Sequence, residues 1–563
     1  MSDVKTEITA AVKKALTDFS SEEINFLVEK PENESFGDFS SNVALVAAKI
    51  LKQNPLELAQ KLVEKINSSR STLPNIDKVE AVKPGFTNFY LSQEYLLSSL
   101  SKPLAFEKTL SGKKIMVEFT DPNPFKELHI GHLYSNSVGE SVSRLLEAMG
   151  ADLKRANYQG DVGMHVAKAL YSIMKFDTEE FEKLKNKTLQ EKVRFLGLKY
   201  ADGAHLYENG ESEKKEIEEL NKKIYDKNKA IMIYYTEGRR WSLDYFETIY
   251  KRLGTKFDFY YFESEVGIDG LKLVQEYLKE GVFEESQGAV IFPGKKENLH
   301  DRVFINSMGL PTYEAKELGL ALKKYQDFKF DQSIVITGNE VIGYFKVLLA
   351  ALAKINPEIA SKTKHLTHGM VRLPSGKMSS RTGNIVTGEW LLDEAKKLLK
   401  SKFSEMSEDA LEQVAVGAVK YALLKSSLGH DIEFNFEESI NIQGNSGPYL
   451  QYSYVRTQSV LAKAQVSSSK YQAASMRLEV EELNLLRSLN RFLEVVAAAG
   501  EKFAPNTLCN YLFDLAQKFN LFYQKHKIIG NDQEAFRLAL TAGVGQTIKN
   551  GLNLLGIQAP EKM

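Results

Sequence analysis

The stretch that decides the fold is KIMVEFTDPNPFKELHIGH, residues 114–132. Its first six residues form a β-rich run, and Pro122 and Pro124 then prevent that strand from continuing. From His129 onward apolar residues recur at helical spacing as far as Gly150, a residue type that commonly ends helices, and a second β-rich run, DLKRANY, follows. The order strand, loop, helix, strand predicts a parallel, doubly wound sheet that binds its ligands at the carboxyl ends of the strands.

The start of the predicted helix carries residues suited to phosphate. His129 and His132 fall on one face of the first turn, beside backbone N–H groups that we expect to lack intrahelical partners. Anions favour this end of a helix, and Gly131 leaves room for a flat ligand such as adenine to approach the backbone. Together with Lys126, these residues suit a triphosphate whose oxygens gain charge at the α-phosphorus. The spacing alone is equally typical of histidines that cap a surface helix.

A second candidate for phosphate binding is RLPSGKMSSRTGN, residues 372–384. Lys377 and Arg381 flank two serines in a loop bounded by glycines, and loops that clamp phosphates have this composition. Solvated turns have it as well, so composition alone leaves both interpretations open.

Composition limits the class of protein. The 73 basic and 74 acidic residues give a net charge of -1, so any nucleic acid must be bound by local patches. No apolar run is long enough to span a membrane and the N-terminus lacks a secretory signal, which together predict a cytoplasmic protein. The single cysteine, Cys509, excludes an internal disulfide and a cysteine-rich zinc site.

The pattern along the chain predicts three domains. Residues 1–105 are expected to form a small α+β domain, and residues 106–408 a Rossmann-type doubly wound domain with a charged helical insertion at about 177–253. Helical spacing dominates residues 409–563, which predicts an all-helical C-terminal domain. After the insertion the sheet is expected to resume with the strand-like segments FDFYYFES, GAVIF, RVFIN and SIVIT.

Resemblance to a known family adds what spacing cannot decide. HIGH, residues 129–132, resembles the first signature of class I aminoacyl-tRNA synthetases, and KMSSR resembles a variant of their second signature. The segments NYQGDVG, GLPTYEAKELGLAL and GNSGPYLQYSYVR resemble parts of arginyl-tRNA synthetases. FGDFSSNVAL and KPGFTNFYLS are similar to the N-terminal, tRNA-contacting domain of that family, so the resemblance extends over essentially the whole chain.

This resemblance implies a multidomain α/β enzyme that works in two steps. Arginine and ATP would give arginyl-adenylate and pyrophosphate, and the arginyl group would then pass to the terminal ribose of tRNA(Arg). It also implies Mg²⁺ with the ATP, a helical domain that binds the anticodon, and a first step that generally needs bound tRNA. We further expect a monomer that has no contact with membranes.

The resemblance also assigns roles at the nucleotide. His129 and His132 are expected to hold ATP phosphates, Gly131 to face the adenine, and the loop with Lys377 to close on the leaving pyrophosphate. The remaining loop residues that we expect to contact ATP are Met378, Ser379, Ser380 and Arg381. Ser380 stands where the family's second signature usually has its key lysine, and we expect Lys126 to replace that lost charge.

A guanidinium is planar and carries five donors, so its pocket should offer carboxylates and an aromatic face. The resemblance places the arginine-binding residues at Glu118, Asn123, Glu263, Tyr313, Glu317 and Glu340. Glu317 stands where most relatives have aspartate, Glu340 where glutamine is common, and Tyr158 where histidine is more frequent. Without the resemblance, any one of these acids would be interpreted as a solvated surface charge.

The segment GPYLQYSYVR offers aromatic and basic groups on which unstacked anticodon bases could lie. The candidates for tRNA binding are Tyr449, Tyr452, Tyr454 and Arg456. Tyrosines at this helical spacing are also typical of a packed core, and the sequence does not decide between the two.

Other classes of protein fit less well. A cysteinyl enzyme of class I would need cysteine ligands for zinc, and the glutamyl and glutaminyl enzymes would need a cationic pocket for their substrate. A small nucleotidyltransferase shares the paired histidines but has no use for the helical region 409–563. A non-enzymatic relative that only binds tRNA would be expected to lose the histidines or the second signature, and this chain has both.

Overall fold

The computed structural model describes residues 4–31, 33–69, 73–100, 105–374, 386–464 and 477–563. Two compact units share the chain. The first contains Met1–Ala105, Thr457–Phe492 and Gln517–Thr547, and the second contains Phe106–Arg456, Leu493–Ala516 and Ile548–Met563. The predicted multidomain α/β class is confirmed.

The first unit contains a four-stranded antiparallel sheet with helices packed against it. Its strands are β1 (Val28–Glu29), β2 (Phe39–Ser41), β3 (Ile76–Val82) and β4 (Phe86–Leu91), in the order β1-β2-β4-β3. Its N-terminal helices are α1 (Val4–Leu16), α2 (Val43–Leu51), α3 (Pro55–Ser68) and α4 (Gln93–Ser98). Pro55 begins α3 directly after Asn54, whose side chain accepts the N–H groups of Leu56 and Glu57.

The second unit is built on a five-stranded parallel sheet. The strands are β5 (Lys114–Glu118), β6 (Asp152–Gln159), β7 (Phe259–Phe262), β11 (Gln332–Gly338) and β12 (Thr363–His368), and their order is β12-β11-β5-β6-β7. All four strand pairs are parallel, as predicted from the first strand, loop and helix. The connecting helix α5 (Ile130–Ala148) ends just before Gly150, whose φ of +96° favours glycine at this helix end.

Helices fill the long interval between β6 and β7. They are α6 (Met164–Phe176), α7 (Thr178–Lys183), α8 (Leu189–Asn209), α9 (Glu211–Tyr225) and α10 (Lys229–Leu253). Leu170, Phe181 and Trp241 are fully buried between them. The charged stretch therefore forms a helical subdomain with its own apolar core, and its charges occupy the outer faces.

The expectation that four segments extend the parallel sheet is wrong for two of them. β8 (Glu284–Ser286), β9 (Ala289–Phe292) and β10 (Arg302–Ile305) form a separate antiparallel sheet. Gln287 and Gly288 join β8 to β9 with positive φ angles of 51° and 76°. A two-residue turn of this kind produces a hairpin, whereas a parallel neighbour requires a crossover of about a dozen residues or more.

The remaining described elements complete the second unit and lead into the C-terminal region. Around β10 and β12 lie α11 (Glu263–Lys279), α12 (Tyr313–Asp327), α13 (Ile342–Ile355) and α14 (Pro357–Lys362). They are followed by β13 (Val371–Arg372), α15 (Gly388–Lys402), α16 (Glu408–Leu424), β14 (Ile432–Glu433) and α17 (Phe436–Ser439). The last four helices are α18 (Gly447–Lys463), α19 (Val480–Glu501), α20 (Pro505–Lys525) and α21 (Glu534–Leu554). None of the described helices is both long and apolar enough to cross a bilayer.

Candidate active site

The carboxyl ends of the parallel strands bring the candidate residues to one edge of the sheet. β5 ends at Glu118, β12 ends at His368, and Glu263 follows directly after β7. His129 precedes α5 at the same edge, after the loop that leaves β5.

The two histidines of HIGH form a reciprocal cap at the start of α5. His129 is the N-cap residue, and its Nδ1 accepts the N–H of Gly131 at 3.1 Å. His132 returns the contact, because its Nδ1 accepts the N–H of His129 at 3.2 Å. The rings stack with centroids 3.6 Å apart.

This capping fixes the protonation of both rings. An Nδ1 that accepts a backbone N–H carries no proton, so each neutral ring places its proton on Nε2. Burial, with smaller effects of Lys126 and His368, lowers the pKa of His129 to about 4. Burial and the neighbouring His129 also lower the pKa of His132 well below its usual value. Both imidazoles are therefore neutral donors through Nε2 at physiological pH.

The backbone N–H groups at this helix start all have partners, and the binding of an anion here stays a prediction. The N–H groups of His132 and Leu133 donate to the carbonyl of His129, and the N–H of Ile130 donates to the carbonyl of Val386. The N–H of Gly131 is taken by the ring of His129. Donors for phosphate at this position must therefore be side chains.

Gly131 has a reason for being glycine that the sequence did not reveal. A Cβ at this position would lie 2.9 Å from Cε1 and 3.0 Å from Nδ1 of His129. Any larger residue would push the capping ring away. Contact with adenine stays a prediction for Gly131.

Lys126 lies in the loop between β5 and α5, close to the histidines. Its ammonium stands 4.2 Å from the ring centroid of Tyr200 in α8. Its positive charge helps to lower the pKa of His129, of His132 and of the buried His165, after the larger effect of burial on each ring. Within the described residues, no carboxylate forms a salt bridge with Lys126.

The second signature lies outside the described residues, so nothing is said of where Lys377, Met378, Ser379, Ser380 and Arg381 stand. The segment immediately after it is described. Thr387 forms an isolated antiparallel bridge with His129, and the N–H of Gly388 donates to the carbonyl of Leu128 at 2.7 Å. Residues 386–388 therefore lie directly against HIGH.

Two of the predicted arginine-binding carboxylates are buried and paired with lysines of α12. Glu118 is 1% exposed, and its Oε2 accepts the ammonium of Lys324 at 2.5 Å. Glu263 is 3% exposed, and its Oε2 accepts the ammonium of Lys316 at 2.5 Å. Buried carboxylates need such partners, since an uncompensated buried charge is costly.

Glu317, also on α12, lies beside this pair without a lysine of its own in the described contacts. Burial and the nearby carboxylate of Glu118 raise the pKa of Glu317 well above its usual value, and Lys324 opposes the shift. The pKa of Asp121 is raised for the same two reasons. The pocket therefore holds more carboxyl groups than its lysines neutralise.

The Tyr158 side chain ends among these acids. It is 8% exposed, and its hydroxyl has no hydrogen-bond partner among the described residues. Burial, followed by Glu263 and Glu317, raises the pKa of Tyr158. A buried hydroxyl without a partner beside an excess of carboxyl groups marks a place where a cationic ligand with several donors fits.

Asn123 converges on the same place. A side chain at Gly160 would collide with Oδ1 of Asn123 and approach Oε1 of Glu263. Gly160 thus allows the loop after β5 to approach the end of β6 closely. The next residue, Asp161, is fully buried and accepts the N–H of Ser264 at 2.8 Å and Arg239 Nε at 2.8 Å, which fixes the backbone next to Glu263.

The last two arginine-binding candidates, Tyr313 and Glu340, are more exposed than the buried carboxylates. Tyr313 begins α12 and is 58% exposed, with the ammonium of Lys316 at 5.2 Å from its ring centroid. Glu340 is exposed and lies near His368, whose pKa is lowered by burial and raised slightly by Glu340. The structure therefore groups Glu118, Glu263, Glu317 and Asn123, and leaves Glu340 nearer the histidines.

The tRNA-binding candidates lie on α18. Tyr454 is only 6% exposed and Tyr449 packs its ring against Phe513 at 5.5 Å, so both are engaged in packing. Arg456 lies with its guanidinium 4.8 Å from the ring centroid of Tyr452 and donates to its hydroxyl. Base contacts stay a prediction for all four residues.

Sequence reasoning missed Lys316 and Lys324. Both lie eight positions apart on the buried side of α12, where Leu320 is also buried. A lysine that recurs within the apolar stripe of a helix must have a buried partner, and this was the available signal.

In the described part of the chain, no group of three or more His, Cys, Asp and Glu residues could hold a metal ion.

Comparison with protein families gives a match along nearly the whole chain. Residues 96–436 match the model of the catalytic domain of class I tRNA synthetases (R). Residues 2–91 match the arginyl tRNA synthetase N-terminal domain, and residues 450–563 match the DALR anticodon binding domain. The catalytic domain of the chain is thus that of a class I tRNA synthetase.

Individual relatives identify the family within the class I tRNA synthetases. The arginine–tRNA ligases of Flavobacterium psychrophilum and Treponema denticola are each 33% identical to the chain. The alignment with the Flavobacterium enzyme covers 91% of the chain and 90% of that enzyme. The alignment with the Treponema enzyme covers 96% of the chain and 95% of that enzyme. The solved arginyl-tRNA synthetase of Thermus thermophilus shares the fold over 100% of both chains, with a TM-score of 0.79 at 23% identity. The chain belongs to the arginyl-tRNA synthetase family.

Proposed function

We propose that the chain attaches L-arginine to tRNA(Arg) at the carboxyl edge of its parallel sheet. In the first step an oxygen of the arginine carboxylate bonds to the α-phosphorus of ATP, and the bond from that phosphorus to the bridging β-phosphate oxygen breaks. Pyrophosphate leaves, and arginyl-adenylate remains. In the second step the arginyl group passes to a hydroxyl of the terminal ribose of tRNA, and AMP leaves.

Membership in the arginyl-tRNA synthetases supports ATP-dependent arginine–tRNA ligase activity. The observation that carries the residue-level proposal is the juxtaposition of two kinds of group at one sheet edge. Neutral imidazole donors and Lys126 lie on one side, and a buried group of carboxyls lies on the other. His165 lies next to the carboxyl side, with its Nε2 2.7 Å from the carbonyl of Gly160, and Lys126 and Lys316 both add to the lowering of its pKa by burial.

The nucleotide side works by positioning and charge stabilisation. The arginine carboxylate is already an anion at neutral pH, so the first step needs no strong general base. The Nε2–H groups of His129 and His132 and the ammonium of Lys126 would donate to phosphate oxygens as negative charge grows on them. Lys377 and Arg381 are proposed to act on the leaving pyrophosphate.

The group of carboxyls is proposed to bind the guanidinium of arginine. Glu317 and Glu118 offer carboxylate oxygens for a paired contact with its planar fork, and the hydroxyl of Tyr158 offers one further acceptor. Glu263 and Asn123 are proposed to hold the α-amino and carboxyl end, and Tyr313 to cover the aliphatic stem.

Mg²⁺ is proposed to enter as part of the MgATP substrate. The carboxylates of Glu118 and Glu263 are engaged by lysines, so the described residues offer no protein cage for this ion. Magnesium commonly binds through substrate phosphates and water with few protein ligands, which fits this arrangement.

Four further properties belong to this proposal. We propose tRNA(Arg) as the partner, a monomer as the working form and the cytoplasm as the place of action. The domain limits are proposed as 1–105 for tRNA contact, 106–408 for catalysis and 409–563 for the anticodon. The matches to the N-terminal and DALR domain models support the two tRNA-binding regions.

Pyrophosphate exchange tests the activity directly. The purified chain would be incubated with ATP, labelled pyrophosphate and each of the twenty amino acids, with and without total tRNA. The expected result is exchange with arginine alone, and only when tRNA is present. Exchange with another amino acid, or none with arginine and tRNA together, would contradict the proposal.

A further inference from the structure

The helical insertion has no role in the chemistry described so far, yet one side of α8 lies along the nucleotide side of the site. Gly197 approaches the residue after Lys126, since a Cβ there would lie 3.4 Å from Oε2 of Glu127. One turn further along, Tyr200 presents its ring to the Lys126 ammonium at 4.2 Å. The insertion therefore supplies an aromatic partner for Lys126, the lysine that is expected to replace the missing cation of the second signature.

α8 is held firmly in this position. Gln190 Nε2 at its beginning donates to Oε1 of Glu389 at 3.1 Å, and the Tyr245 hydroxyl of α10 donates to Oε2 of the same carboxylate at 2.9 Å. Glu389 comes directly after the segment that bridges to His129. Tyr200 therefore stands on an element that is tied to Glu389, two residues after the bridge between Thr387 and His129 at the start of α5.

Tyr200 also reaches the amino-acid side of the site. Desolvation and the carboxylate of Glu263 raise the pKa of the Tyr313 hydroxyl, and Tyr200 contributes to the same shift. Tyr200 is thus close enough to influence Tyr313, the aromatic residue proposed to cover arginine.

We propose that Tyr200 is a positioning residue, which holds the ammonium of Lys126 in place for the phosphates of ATP. This inference rests on the proposed function. A lysine side chain has four flexible carbon bonds, and restricting it before ATP arrives reduces the entropy lost on binding. A carboxylate partner would restrict Lys126 too, but it would cancel the charge that the transition state needs. The face of an aromatic ring attracts an ammonium without neutralising it.

The chain offers a matched control on the same helix. Tyr207 is partly buried like Tyr200, and its ring lies 4.4 Å from the ammonium of Lys168. It therefore makes the same kind of contact with a lysine that has no proposed role in the reaction.

The experiment compares Tyr200→Met, Tyr200→Phe and Tyr207→Met in arginine-dependent pyrophosphate exchange with tRNA present. Methionine keeps the bulk and favours a helix but has no ring, whereas phenylalanine keeps the ring. We expect Tyr200→Met to lower kcat/KM for ATP about three- to tenfold, with KM for arginine changed less than about twofold. Tyr200→Phe and Tyr207→Met should remain within about twofold of the wild type.

A double-mutant cycle with Lys126→Ala separates positioning from general packing. If Tyr200 acts through Lys126, Tyr200→Met should have little further effect once Lys126 is alanine. An equal loss in both backgrounds, or an equal loss in Tyr200→Phe, would overturn the inference. Tyr200→Leu repeats the comparison should Tyr200→Met fail to fold. Absence of arginine-dependent exchange in the wild type would instead contradict the proposed function itself.

Discussion

His129 and His132 cap the same helix start reciprocally, each accepting a backbone N–H through Nδ1 while their rings stack at 3.6 Å. The signature HIGH is thus a local structural device as well as a source of donors. Because both Nδ1 atoms are occupied, both rings must present Nε2–H, and the tautomer does not depend on the ligand.

His129→Ala should reduce arginine-dependent exchange about a hundred- to a thousandfold, because it removes one donor to the developing charge on phosphate. His129→Asn keeps a side chain that can cap a helix and should protect the thermal midpoint while losing most of the activity. Exchange rates and circular dichroism melts of the two variants provide the measurement. An active His129→Ala enzyme would contradict the assigned role.

Lys126→Ala should lower adenylate formation about ten- to a thousandfold, the scale expected for the loss of one transition-state donor. Lys126→Arg keeps a cation over the Tyr200 ring and should lose less. Pyrophosphate exchange at saturating arginine and tRNA, with ATP varied, measures the effect. If Lys126→Ala exchanged at the wild-type rate, the replacement of the missing lysine of the second signature would have to lie elsewhere.

The raised pKa of Glu317 predicts that the protein releases a proton when arginine binds. Burial and the Glu118 carboxylate hold the pKa of Glu317 well above its usual value in the free protein, and Lys324 opposes the shift. A guanidinium beside Glu317 would favour its ionised form, so its pKa should fall on binding and the affinity for arginine should rise with pH until Glu317 is already ionised in the free protein.

Titration calorimetry of arginine into the chain, in buffers with different heats of ionisation, counts that proton. The wild type should release part or all of one proton at a pH below the raised pKa, and Glu317→Gln should release fewer and bind arginine more weakly. Glu276→Gln is a suitable control, because Glu276 is an exposed residue of α11 outside the acidic group. Equal proton release in the wild type and Glu317→Gln would contradict this role.

The order β5, α5, β6 was predictable because its signals are local. Two prolines, a helical repeat of apolar residues and a closing glycine all lie within residues 114–150. The partners of the pocket carboxylates were not predictable, because 206 positions separate Glu118 from Lys324 and 53 separate Glu263 from Lys316. Spacing on one helix marks a lysine as buried, but only the sheet order determines which carboxylate it meets.

The sequence predicted the position of the two histidines but not the geometry of the cap that they form. Spacing correctly placed both histidines at the start of a helix, but not the orientation of their rings, which depends on which nitrogen accepts a backbone N–H. The two strands that left the parallel sheet had the composition of buried strands as well. The short turn at Gln287 and Gly288, rather than composition, pairs β9 with β8 in a hairpin, and β10 then pairs with β9 in the same antiparallel sheet.

The lowered pKa of His165 predicts that this residue takes up a proton when the protein unfolds in acid. Burial is the main reason that its pKa is lowered to about 3 in the folded chain, and Lys126 and Lys316 add to the shift, while a 2.7 Å contact between Nε2 and the Gly160 carbonyl opposes it. In the unfolded chain a histidine titrates near 6.5. Between these two values the unfolded state binds the proton and the folded state does not, so His165 lowers the free energy of unfolding as the pH falls from 6.5 towards 3 and has no effect above 6.5.

The matching measurement is the number of protons taken up when urea unfolds the chain at pH 5 in weak buffer, followed with an indicator dye. The wild type should take up about one proton more than His165→Gln, because glutamine does not titrate and can still donate to the Gly160 carbonyl. At pH 8 the two proteins should take up the same number. His205→Gln serves as the control for a histidine-to-glutamine change, since His205 lies on the exposed side of α8. Equal uptake by the wild type and His165→Gln at pH 5 would mean that His165 is already protonated in the folded protein, contrary to the effect of its burial.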